Sequence, residues 1–421
     1  MYALVDIDNC FASCERLFRP DLAGRPIVVA SNNDGCAVAR SAEAKALGIR
    51  MGDPIFKLQH LVQSKGLVIL SSNYTLYADI TSRVMNILEE LAPSGVERYS
   101  IDEAWINLDG LQSAMSLEEY GRMVRETVLK STGLTVCVGA STSFTLAKAA
   151  NRGAKKYPAT GGVVDLSCPE RQRRLLAITA VEDVWGIGRQ LSAKLKAMGI
   201  ETALQLAESN PKVMRKEFSV NVERTIRELQ GVPCFSIEET APTKKQLICS
   251  RSFGTRITTL QDMRQAISEY ATRAGEKLRA ENRTSRVITV FVRTSPFDNT
   301  EPHYSNSATA TFVVPTSDTR DLLRLAKSLL ESIWRDGYRY SKAGVMLTDF
   351  YEPGVFQPSL FEEENLAMAD KGLMQAIDSI NQKGLGKVWF AGQGIKQSWA
   401  MKRERLSPAY TTRWADLPVV R

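Results

Sequence analysis

The stretch Ser100-Ile101-Asp102-Glu103-Ala104-Trp105 places two acidic residues side by side in an apolar sequence. The surrounding residues 96–108 are rich in β-branched and aromatic residues and predict a strand that is broken near its middle. Successive residues of a regular strand point to opposite faces, so an unbroken strand would turn Asp102 or Glu103 toward the apolar side. Because an unpaired buried carboxylate is strongly unfavourable, something must bend this segment or bind its acids.

A second acidic site lies at the start of the chain. Residues 2–7 predict a short buried strand that carries Asp6 near its end, and Asp8 or Asn9 is a candidate N-cap for the helix that follows. Together with Asp102 and Glu103, Asp6 could share divalent cations, because Mg²⁺ prefers oxygen ligands, substrate phosphates and water. The spacing also fits a simpler interpretation in which Asp6 and Asp102 only cap helices or end strands.

Composition limits the class of protein. A chain of 421 residues with 44% hydrophobic and 24% charged residues is ordinary for a globular protein of about three domains. No run of about 20 apolar residues and no signal-peptide pattern is present, so we expect a soluble, cytoplasmic protein. Seven scattered cysteines without a CxxC pair predict reduced thiols. The two histidines exclude a His-rich metal centre, so a metal site must use oxygen ligands.

The net charge of +7 is unevenly distributed. Residues 243–350 contain 17 Lys and Arg against 11 Asp and Glu, which leaves six positive charges in excess. This distribution favours a basic face for a polyanion, although the solvated surface of an ordinary domain explains it equally well.

Two predicted helices carry candidate phosphate ligands. Residues 37–47 are Ala-rich and predict a helix ended by Gly48, with Arg40 and Lys45 available to a triphosphate. Residues 143–157 predict a helix that ends at Pro158. Lys148 and Lys155 lie two turns apart on one face of that helix, a placement that suits phosphate better than a core. A solvated helix face remains the alternative, above all for Lys45.

The sequence Val184-Trp185-Gly186-Ile187-Gly188 resembles a helix-hairpin-helix. Its two glycines would let the backbone N–H groups of Gly186, Ile187 and Gly188 approach a DNA phosphate at a helix start without reading base sequence.

Taken together, the motifs resemble those of the Y-family translesion DNA polymerases of bacteria. DIDNCFASCE, SNNDGCAVARSAEAKALGI, YSIDEAW, GASTSFTLAKAANRGAKKYP and VWGIG follow one another in the order and spacing of that family. QPSLF and the tail MKRERLSPAYTTRWADLP extend the resemblance to the UmuC branch. The resemblance covers essentially the whole chain.

The resemblance implies an α+β, multidomain right-hand polymerase. The expected parts are an α/β palm at 1–165 with small fingers inserted at about 11–74, a helical thumb with the helix-hairpin-helix at 166–238, an α/β little finger at 243–350, and a clamp-binding tether and UmuC-type tail at 351–421. Within the little finger, residues 262–280 favour a helix and the alternating residues 287–292 favour a strand. The excess charge of the little finger would then face the DNA backbone.

The resemblance also implies template-directed, error-prone translesion synthesis in the SOS response by two-metal nucleotidyl transfer. Asp6, Asp102 and Glu103, with the carbonyl of Ile7, would hold two Mg²⁺. Arg40, Lys45 and Lys155 match family positions that contact the triphosphate. Phe11 matches the aromatic position that blocks a ribose 2′-hydroxyl, although it also fits a helix-face core residue.

Two departures from the family pattern concern the nucleotide site. Cys10 stands where many relatives have another aromatic residue, so the floor beneath the sugar is expected to be looser. Ser41-Ala42 replaces the more common Asn-Tyr and leaves no phenol for the phosphates. More of that binding then depends on Arg40 and Lys45.

Partners follow from the same resemblance: primer-template DNA, deoxynucleoside triphosphates, a sliding clamp, a UmuD′-like dimer and a RecA filament, and no membrane. Gln357, Leu360 and Phe361 match peptides that dock on the bacterial sliding clamp, with Pro358 as a departure. Alternatively, the two apolar side chains fold back onto the little finger.

Two rival classes remain at the level of the sequence. Another palm-domain nucleotidyl enzyme, such as a nucleotidyl cyclase, would not need the helix-hairpin-helix, the basic module or QPSLF. A non-catalytic checkpoint protein that binds DNA and the clamp would not need Asp6, Asp102 and Glu103.

Overall fold

The computed structural model describes residues 1–111, 115–236, 244–352, 355, 371–383, 386–395 and 397–417. In chain order the helices and strands are β1 (Tyr2–Ile7), α1 (Cys10–Leu17), β2 (Ile27–Ala30), β3 (Ala37–Arg40), α2 (Ala42–Ala46), α3 (Ile55–Lys65), β4 (Val68–Ser71), α4 (Tyr74–Leu91), β5 (Val96–Arg98), β6 (Glu103–Asn107), α5 (Leu117–Thr132), β7 (Val136–Ser141), α6 (Phe144–Lys156), β8 (Val163–Asp165), α7 (Pro169–Ala177), α8 (Arg189–Ala197), α9 (Ala203–Ala207), α10 (Pro211–Glu217), α11 (Val220–Leu229), β9 (Gln246–Ile257), α12 (Leu260–Ala280), β10 (Thr284–Arg293), β11 (Ser305–Thr316), α13 (Thr319–Ile333), β12 (Tyr340–Tyr351) and α14 (Lys371–Lys383).

These elements form two compact units. Unit 1 consists of Met1–Ser31, Gly35–Ala241 and Arg405–Arg421, and unit 2 consists of Asn32–Asp34 and Pro242–Glu404. The last described residues of the chain therefore belong partly to unit 2 and partly to unit 1.

A five-stranded sheet in the order β5-β6-β1-β7-β8 organises the first part of unit 1. The strand β1 is central and antiparallel to both β6 and β7, as expected for the short buried strand at 2–7. Alternate residues of β1 face opposite sides. Ala3, Val5 and Ile7 enter a core with α4 and α5, whereas Leu4 packs with Trp105 against α6.

The break predicted in residues 96–108 is a reversal of the chain. β5 and β6 form an antiparallel hairpin in which Val96 pairs with Ile106 and Arg98 with Ala104. Asp102 lies in the turn, Glu103 begins β6, and both side chains are half-buried. Because of the hairpin, neither acid has to enter the apolar core.

The helix predicted for residues 37–47 is wrong in its first half. Ala37–Arg40 is the strand β3, which pairs antiparallel with β2 in a three-stranded sheet of order β3-β2-β4. Only Ala42–Ala46 is helical, and its N-cap is Ser41, whose hydroxyl accepts a hydrogen bond from Ala44 N. Pairing with β2 outweighs the helix propensity of the alanines, because tertiary context overrides a weak local preference.

Residues 169–229 are helical, with α7 to α11 packed around one apolar cluster. Leu176, Leu195, Leu206 and Ile226 are buried in it. These helices are consistent with the expected helical thumb. Its limits at 166–238 remain a prediction.

Unit 2 contains a four-stranded antiparallel sheet of order β11-β10-β12-β9, covered by α12 and α13. The predicted helix over 262–280 is confirmed as Leu260–Ala280, and the predicted strand over 287–292 lies within Thr284–Arg293. Trp399 of the C-terminal segment is buried against Phe253 and Tyr270 of this unit.

Two findings concern the chain as a whole. None of the helices that the structure describes is long and apolar enough to cross a membrane. All seven cysteines are free, as predicted from their spacing.

Candidate active site

Asp6 and Glu103 are cross-strand neighbours on the same face of the sheet. They form the last register pair of β1 and β6, and they share the face of Leu4 and Trp105 that packs against α6. Directly opposed side chains on antiparallel strands lie close enough to interact. The strand register thus brings two carboxylates together beneath α6.

Lys148 and Lys155 of α6 contact these two carboxylates. The ammonium group of Lys155 forms an ion pair with Asp6 Oδ1, and Lys148 Nζ lies 3.0 Å from Glu103 Oε2. Their seven-residue spacing places both lysines on one helix face, as predicted. In the free protein, therefore, each carboxylate of the pair contacts one ammonium group.

Asp102 approaches the site from the hairpin turn. Its carbonyl accepts a hydrogen bond from Ile7 N (2.9 Å), which ties the turn to the end of β1. Its carboxylate accepts from Ser100 Oγ (2.6 Å), and the same hydroxyl oxygen accepts from the backbone N–H groups of Asp102 and Glu103. Ser100 thereby holds the bend that the two adjacent acids require.

The paired carboxylates titrate differently. Burial raises the pKa of Asp6 to about 7 against the opposing effect of Lys155. Glu103 is also partly buried, which raises its pKa, but its hydrogen bonds with Asp6 and Lys148 outweigh burial and lower the pKa overall. Asp6 is the member of the pair that holds a proton near neutral pH.

Arg40 and Lys155 both lie within electrostatic range of Lys45. Burial lowers the pKa of Lys45, and the positive charges of Arg40 and Lys155 lower it further. Lys45 Nζ donates to Asn9 Oδ1 (2.6 Å), and Arg40 Nη1 donates to the carbonyl of Ile49 (2.8 Å). A lysine near two further cations is suited to a polyphosphate.

The same contact explains why the predicted N-cap residue of α1 makes no capping hydrogen bond. Asn9 does occupy the N-cap position, but it has φ 49° and its side chain makes no capping hydrogen bond. It binds Lys45 instead.

Phe11 lies on α1 beside two tyrosines of α4. Its ring stacks on Tyr77 with a centroid distance of 4.5 Å and meets Tyr74 edge-on at 5.8 Å. The side chain is half-buried, so it packs against the core and still presents part of its surface. Both sequence interpretations of Phe11 are compatible with this position.

The structure shows the surroundings of Cys10 and Ser41, which depart from the family pattern. Cys10 is buried, and its pKa is raised by a hydrogen bond with Cys14 and by burial. Ser41 is fully buried, and its hydroxyl accepts from Ile27 N (3.0 Å) as well as capping α2. Ser41 thus has a structural role in the three-stranded sheet.

The loop at 186–188 leads directly into α8. Gly186 has φ +88°, a conformation that favours glycine, and Gly188 is the N-cap residue of the helix. Ile187 is buried in the helical core, and its N–H donates to the carbonyl of Val184. The residues before the loop form only a short 3₁₀ turn, Val181–Asp183.

Sequence reasoning missed an aromatic enclosure around Lys148. Its ammonium lies over the rings of Tyr99 (4.7 Å), Trp105 (5.9 Å) and Trp185 (5.7 Å), at distances typical of cation–π contacts. Trp185 immediately precedes Gly186, so Lys148 contacts both the glycine loop and the acidic face. The sequence signal that could have revealed this enclosure is Trp185, the aromatic residue next to the glycine motif.

Two buried polar residues that the sequence did not single out position α6. Asn151 Nδ2 donates to the carbonyls of Leu4 (3.2 Å) and Cys137 (2.8 Å), which fixes α6 to β1 and β7. Glu228 of α11 accepts from the N–H of Thr145 (2.9 Å) in the first turn of α6. A carboxylate at this end of the helix is favoured by the helix dipole.

The residues present fit a hard divalent cation by donor chemistry, since Asp6, Asp102 and Glu103 offer only oxygen. Among the described residues, however, no three His, Cys, Asp or Glu side chains converge on one point. Lys155 and Lys148 pair with the carboxylates of Asp6 and Glu103, and Ser100 Oγ donates to that of Asp102.

An open cavity of about 260 Å³ adjoins these groups. Its lining includes Asp6, Glu103, Lys148, Lys155 and Trp185. The candidate clamp residues Gln357, Leu360 and Phe361 lie outside the described residues.

Comparisons with known proteins agree with this fold. Residues 5–152 match the impB/mucB/samB family, residues 244–360 match the impB/mucB/samB family C-terminal domain, and residues 371–420 match a domain of unknown function, DUF4113. The chain is 55% identical to the protein UmuC of Salmonella typhimurium over 99% of each chain, and 52% identical to SamB of the same species over 100% of each. A solved Y-family DNA polymerase chimera of Dbh and Dpo4 superposes with a TM-score of 0.66 at 22% identity, covering 83% of this chain and 99% of that one.

The chain therefore has the fold of the solved Y-family DNA polymerases, and the predicted fold class is confirmed. More particularly, the chain belongs to the impB/mucB/samB family, in its UmuC branch.

Proposed function

We propose that this polymerase performs error-prone synthesis across damaged template bases in the SOS response, by nucleotidyl transfer at the face formed by Asp6, Asp102 and Glu103. The observation that carries the proposal is the register pair Asp6–Glu103 joined to Asp102 through the Ile7 N–Asp102 O hydrogen bond. The cluster of Arg40, Lys45 and Lys155 beside it supports a triphosphate as the substrate.

Asp6, Asp102, Glu103 and the carbonyl of Ile7 would hold two Mg²⁺. When bound, these ions supply Lewis-acid activation of the primer 3′-hydroxyl and stabilise the charge of the leaving pyrophosphate. The carboxylates must first be released from Lys148 and Lys155, which frees these two cations for the substrate. Arg40, Lys45 and Lys155 then position the triphosphate and neutralise its charge, which is the main work of a protein in phosphoryl transfer.

The part of Phe11 that remains exposed would exclude a ribose 2′-hydroxyl. Backbone N–H groups of Gly186 and Gly188 would contact template or primer phosphates, since Ile187 N already donates inside the loop. Primer-template DNA and deoxynucleoside triphosphates are the substrates. A sliding clamp, a UmuD′-like dimer and a RecA filament are the proposed partners, by resemblance to the UmuC branch.

Asp102→Ala and Glu103→Ala test this proposal. Each variant is expected to lose primer extension and keep primer-template binding, because DNA affinity depends mainly on basic residues elsewhere. Extension on intact and abasic templates, with and without Mg²⁺, is compared with DNA binding by fluorescence anisotropy. Asp79→Ala, which removes an α4 carboxylate paired with Arg83, is the control and should match the parent.

Extension at the parent's rate in either carboxylate variant would remove these residues from the active site. Extension by the parent on intact templates alone would leave a polymerase without the damage-bypass role.

A further inference from the structure

The C-terminal segment 405–411 lies within the match to the domain of unknown function, and it is hydrogen-bonded to other residues of unit 1. Arg405 N donates to Ser71 Oγ (3.0 Å), and Ser71 N donates to the carbonyl of Arg405 (2.9 Å). Asn73 Nδ2 lies within hydrogen-bonding distance of Ser407 Oγ (3.0 Å) and of the carbonyls of Ser407 (3.1 Å) and Pro408 (3.3 Å). Ser71 and Asn73 are both buried, so these contacts are sheltered from water.

The same segment reaches a buried carboxylate of α1. Ser407 Oγ donates to Glu15 Oε1 (3.0 Å), which also accepts from Tyr77 OH (2.5 Å). Glu15 is only 1% exposed, and burial raises its pKa against these two hydrogen bonds. Its other oxygen, Oε2, has no hydrogen-bond partner among the described residues. A buried carboxylate with so few partners depends strongly on each of them.

Helix geometry connects this carboxylate to the nucleotide site. Phe11 and Glu15 are spaced i and i+4, so they lie on one face of α1, and Phe18 follows as the C-cap residue of that helix. Tyr77 stacks on the Phe11 ring, and its hydroxyl donates to Glu15. At the C-terminal end of α1, Tyr410 is buried and stacks on Phe18 at 4.5 Å.

We infer that the segment 405–411 fixes the Phe11 ring through Ser407, Glu15 and Tyr77, and thereby sets the discrimination between deoxyribonucleotides and ribonucleotides. Ser407, Glu15 and Tyr77 are positioning residues, since none of them meets the substrate. The inference rests on the proposed role of Phe11, and it assigns a task to a part of the chain that lies far from the acidic face in sequence.

Ser407→Ala in the full-length chain tests the inference. Ratios of kcat/KM for a ribonucleotide and the matching deoxyribonucleotide are measured on an undamaged template. We expect discrimination to fall about tenfold, the size of effect that one lost hydrogen bond to a charged group produces. Incorporation of deoxyribonucleotides should change much less. Trp414→Ala, three residues beyond the segment and 89% exposed, is the control and should match the parent.

Tyr77→Phe supplies a second variant that leaves the C-terminal segment untouched. It keeps the stacking ring and removes the hydroxyl, so it should loosen discrimination as Ser407→Ala does. A double-mutant cycle with Phe11→Ala then locates the effect. If the segment acts through Phe11, Ser407→Ala adds no further loss of discrimination in the Phe11→Ala background.

The outcomes separate the two hypotheses. Unchanged discrimination in Phe11→Ala overturns the role of Phe11 and this inference with it. Lost discrimination in Phe11→Ala with parental behaviour of Ser407→Ala and Tyr77→Phe overturns the inference alone. Additive losses in the double mutant also overturn it, because the segment would then act by another route.

Discussion

Under the proposed function, Phe11 serves both packing and selection. Its ring stacks on Tyr77 and meets Tyr74 edge-on. A ring supported on that side can resist a colliding hydroxyl, whereas an unsupported ring would rotate away. Selectivity in such a site depends on the residues behind the ring as well as on the ring itself.

Phe11→Ala should therefore admit ribonucleotides. We expect discrimination to fall by on the order of 100-fold, the rejection that shape alone gives against an added hydroxyl. Single-nucleotide insertion kinetics measure it, and circular dichroism checks that α1 survives the large-to-small change. Phe56→Ala, which removes a 73% exposed ring on α3, is the control. A folded Phe11→Ala variant with parental discrimination would leave Phe11 a packing role only.

Asp6 should make the stability of the free protein decrease as the pH rises. Its pKa is 3.8 in the unfolded chain and about 7 in the folded one, because burial disfavours the charge. Between these values the folded state keeps a proton that the unfolded state has lost. The stability contributed by this proton is complete below pH 4 and disappears as pH rises through 7.

Asp6→Asn removes the titration and so isolates it. In metal-free urea unfolding, the stability of the parent relative to this variant should decline with rising pH by at most about 1.4 kcal/mol per pH unit between pH 4 and 7. Above pH 7 the difference should level off. Parallel pH profiles for the two proteins would show that Asp6 is already ionised in the folded state at pH 5.

At the scale of elements, the site depends on how closely α6 lies on β7. The helix carries Lys148, Asn151 and Lys155, and it meets β7 at Gly139. A Cβ at Gly139 would stand 2.1 Å from Asn151 N and 2.5 Å from the carbonyl oxygen of Ala147, both of which are backbone atoms. Only glycine permits this approach, because backbone atoms of a packed helix cannot move aside cheaply.

Gly139→Ala should therefore displace α6. We expect a loss of about 1 to 3 kcal/mol or more in the free energy of unfolding, typical of overpacking, together with weakened nucleotide binding. Gly188→Ala is the matched stability control, since a Cβ there meets nothing within 4 Å and its φ is −80°. If both variants unfold at the parent's urea concentration, the close approach of α6 to β7 does not hold the site together.

The three-stranded sheet shows where local sequence misleads. Ala37-Val38-Ala39-Arg40 has a helix-like composition, yet it forms a strand because β2 offers hydrogen-bond partners and Ser41 ends the strand and caps the next helix. That capping serine was visible in the sequence. The sequence did not show that β2, which starts ten residues earlier, would be its partner strand.

At the scale of the molecule, the C-terminal residues contribute to both units after the four-stranded sheet. Residues 386–395 and 397–404 belong to unit 2, where Gly254 N donates to the carbonyl of Trp399 (3.1 Å). Residues 405–417 contact unit 1 through Ser71, Asn73 and Glu15. The predicted domain limits and the predicted clamp peptide remain predictions, the latter because it lies outside the described residues.

Leu360→Ala combined with Phe361→Ala should abolish stimulation by a loaded clamp while leaving distributive extension on a short primer-template intact. Two apolar side chains removed from a pocket forfeit about 3 to 6 kcal/mol of burial, which suffices to lose a peptide contact. Extension length with and without clamp is the measurement. Val355→Ala removes a 64% exposed neighbour and serves as control. Equal stimulation of the double mutant and the parent would assign the clamp contact elsewhere.

The sequence by itself determined the strand at 2–7, the helices predicted at 143–157 and 262–280 to within two residues at each end, the free thiols, the family and the position of Lys148 and Lys155 on one helix face. These features depend on local periodicity, or on motifs whose order along the chain is sufficient. Only the tertiary structure decided that Asp102 lies in a turn, that Asp6 and Glu103 are register partners, and that Ser407 reaches Glu15. Such contacts join residues distant in sequence, and the free energy that selects them comes from packing and burial that no local pattern records.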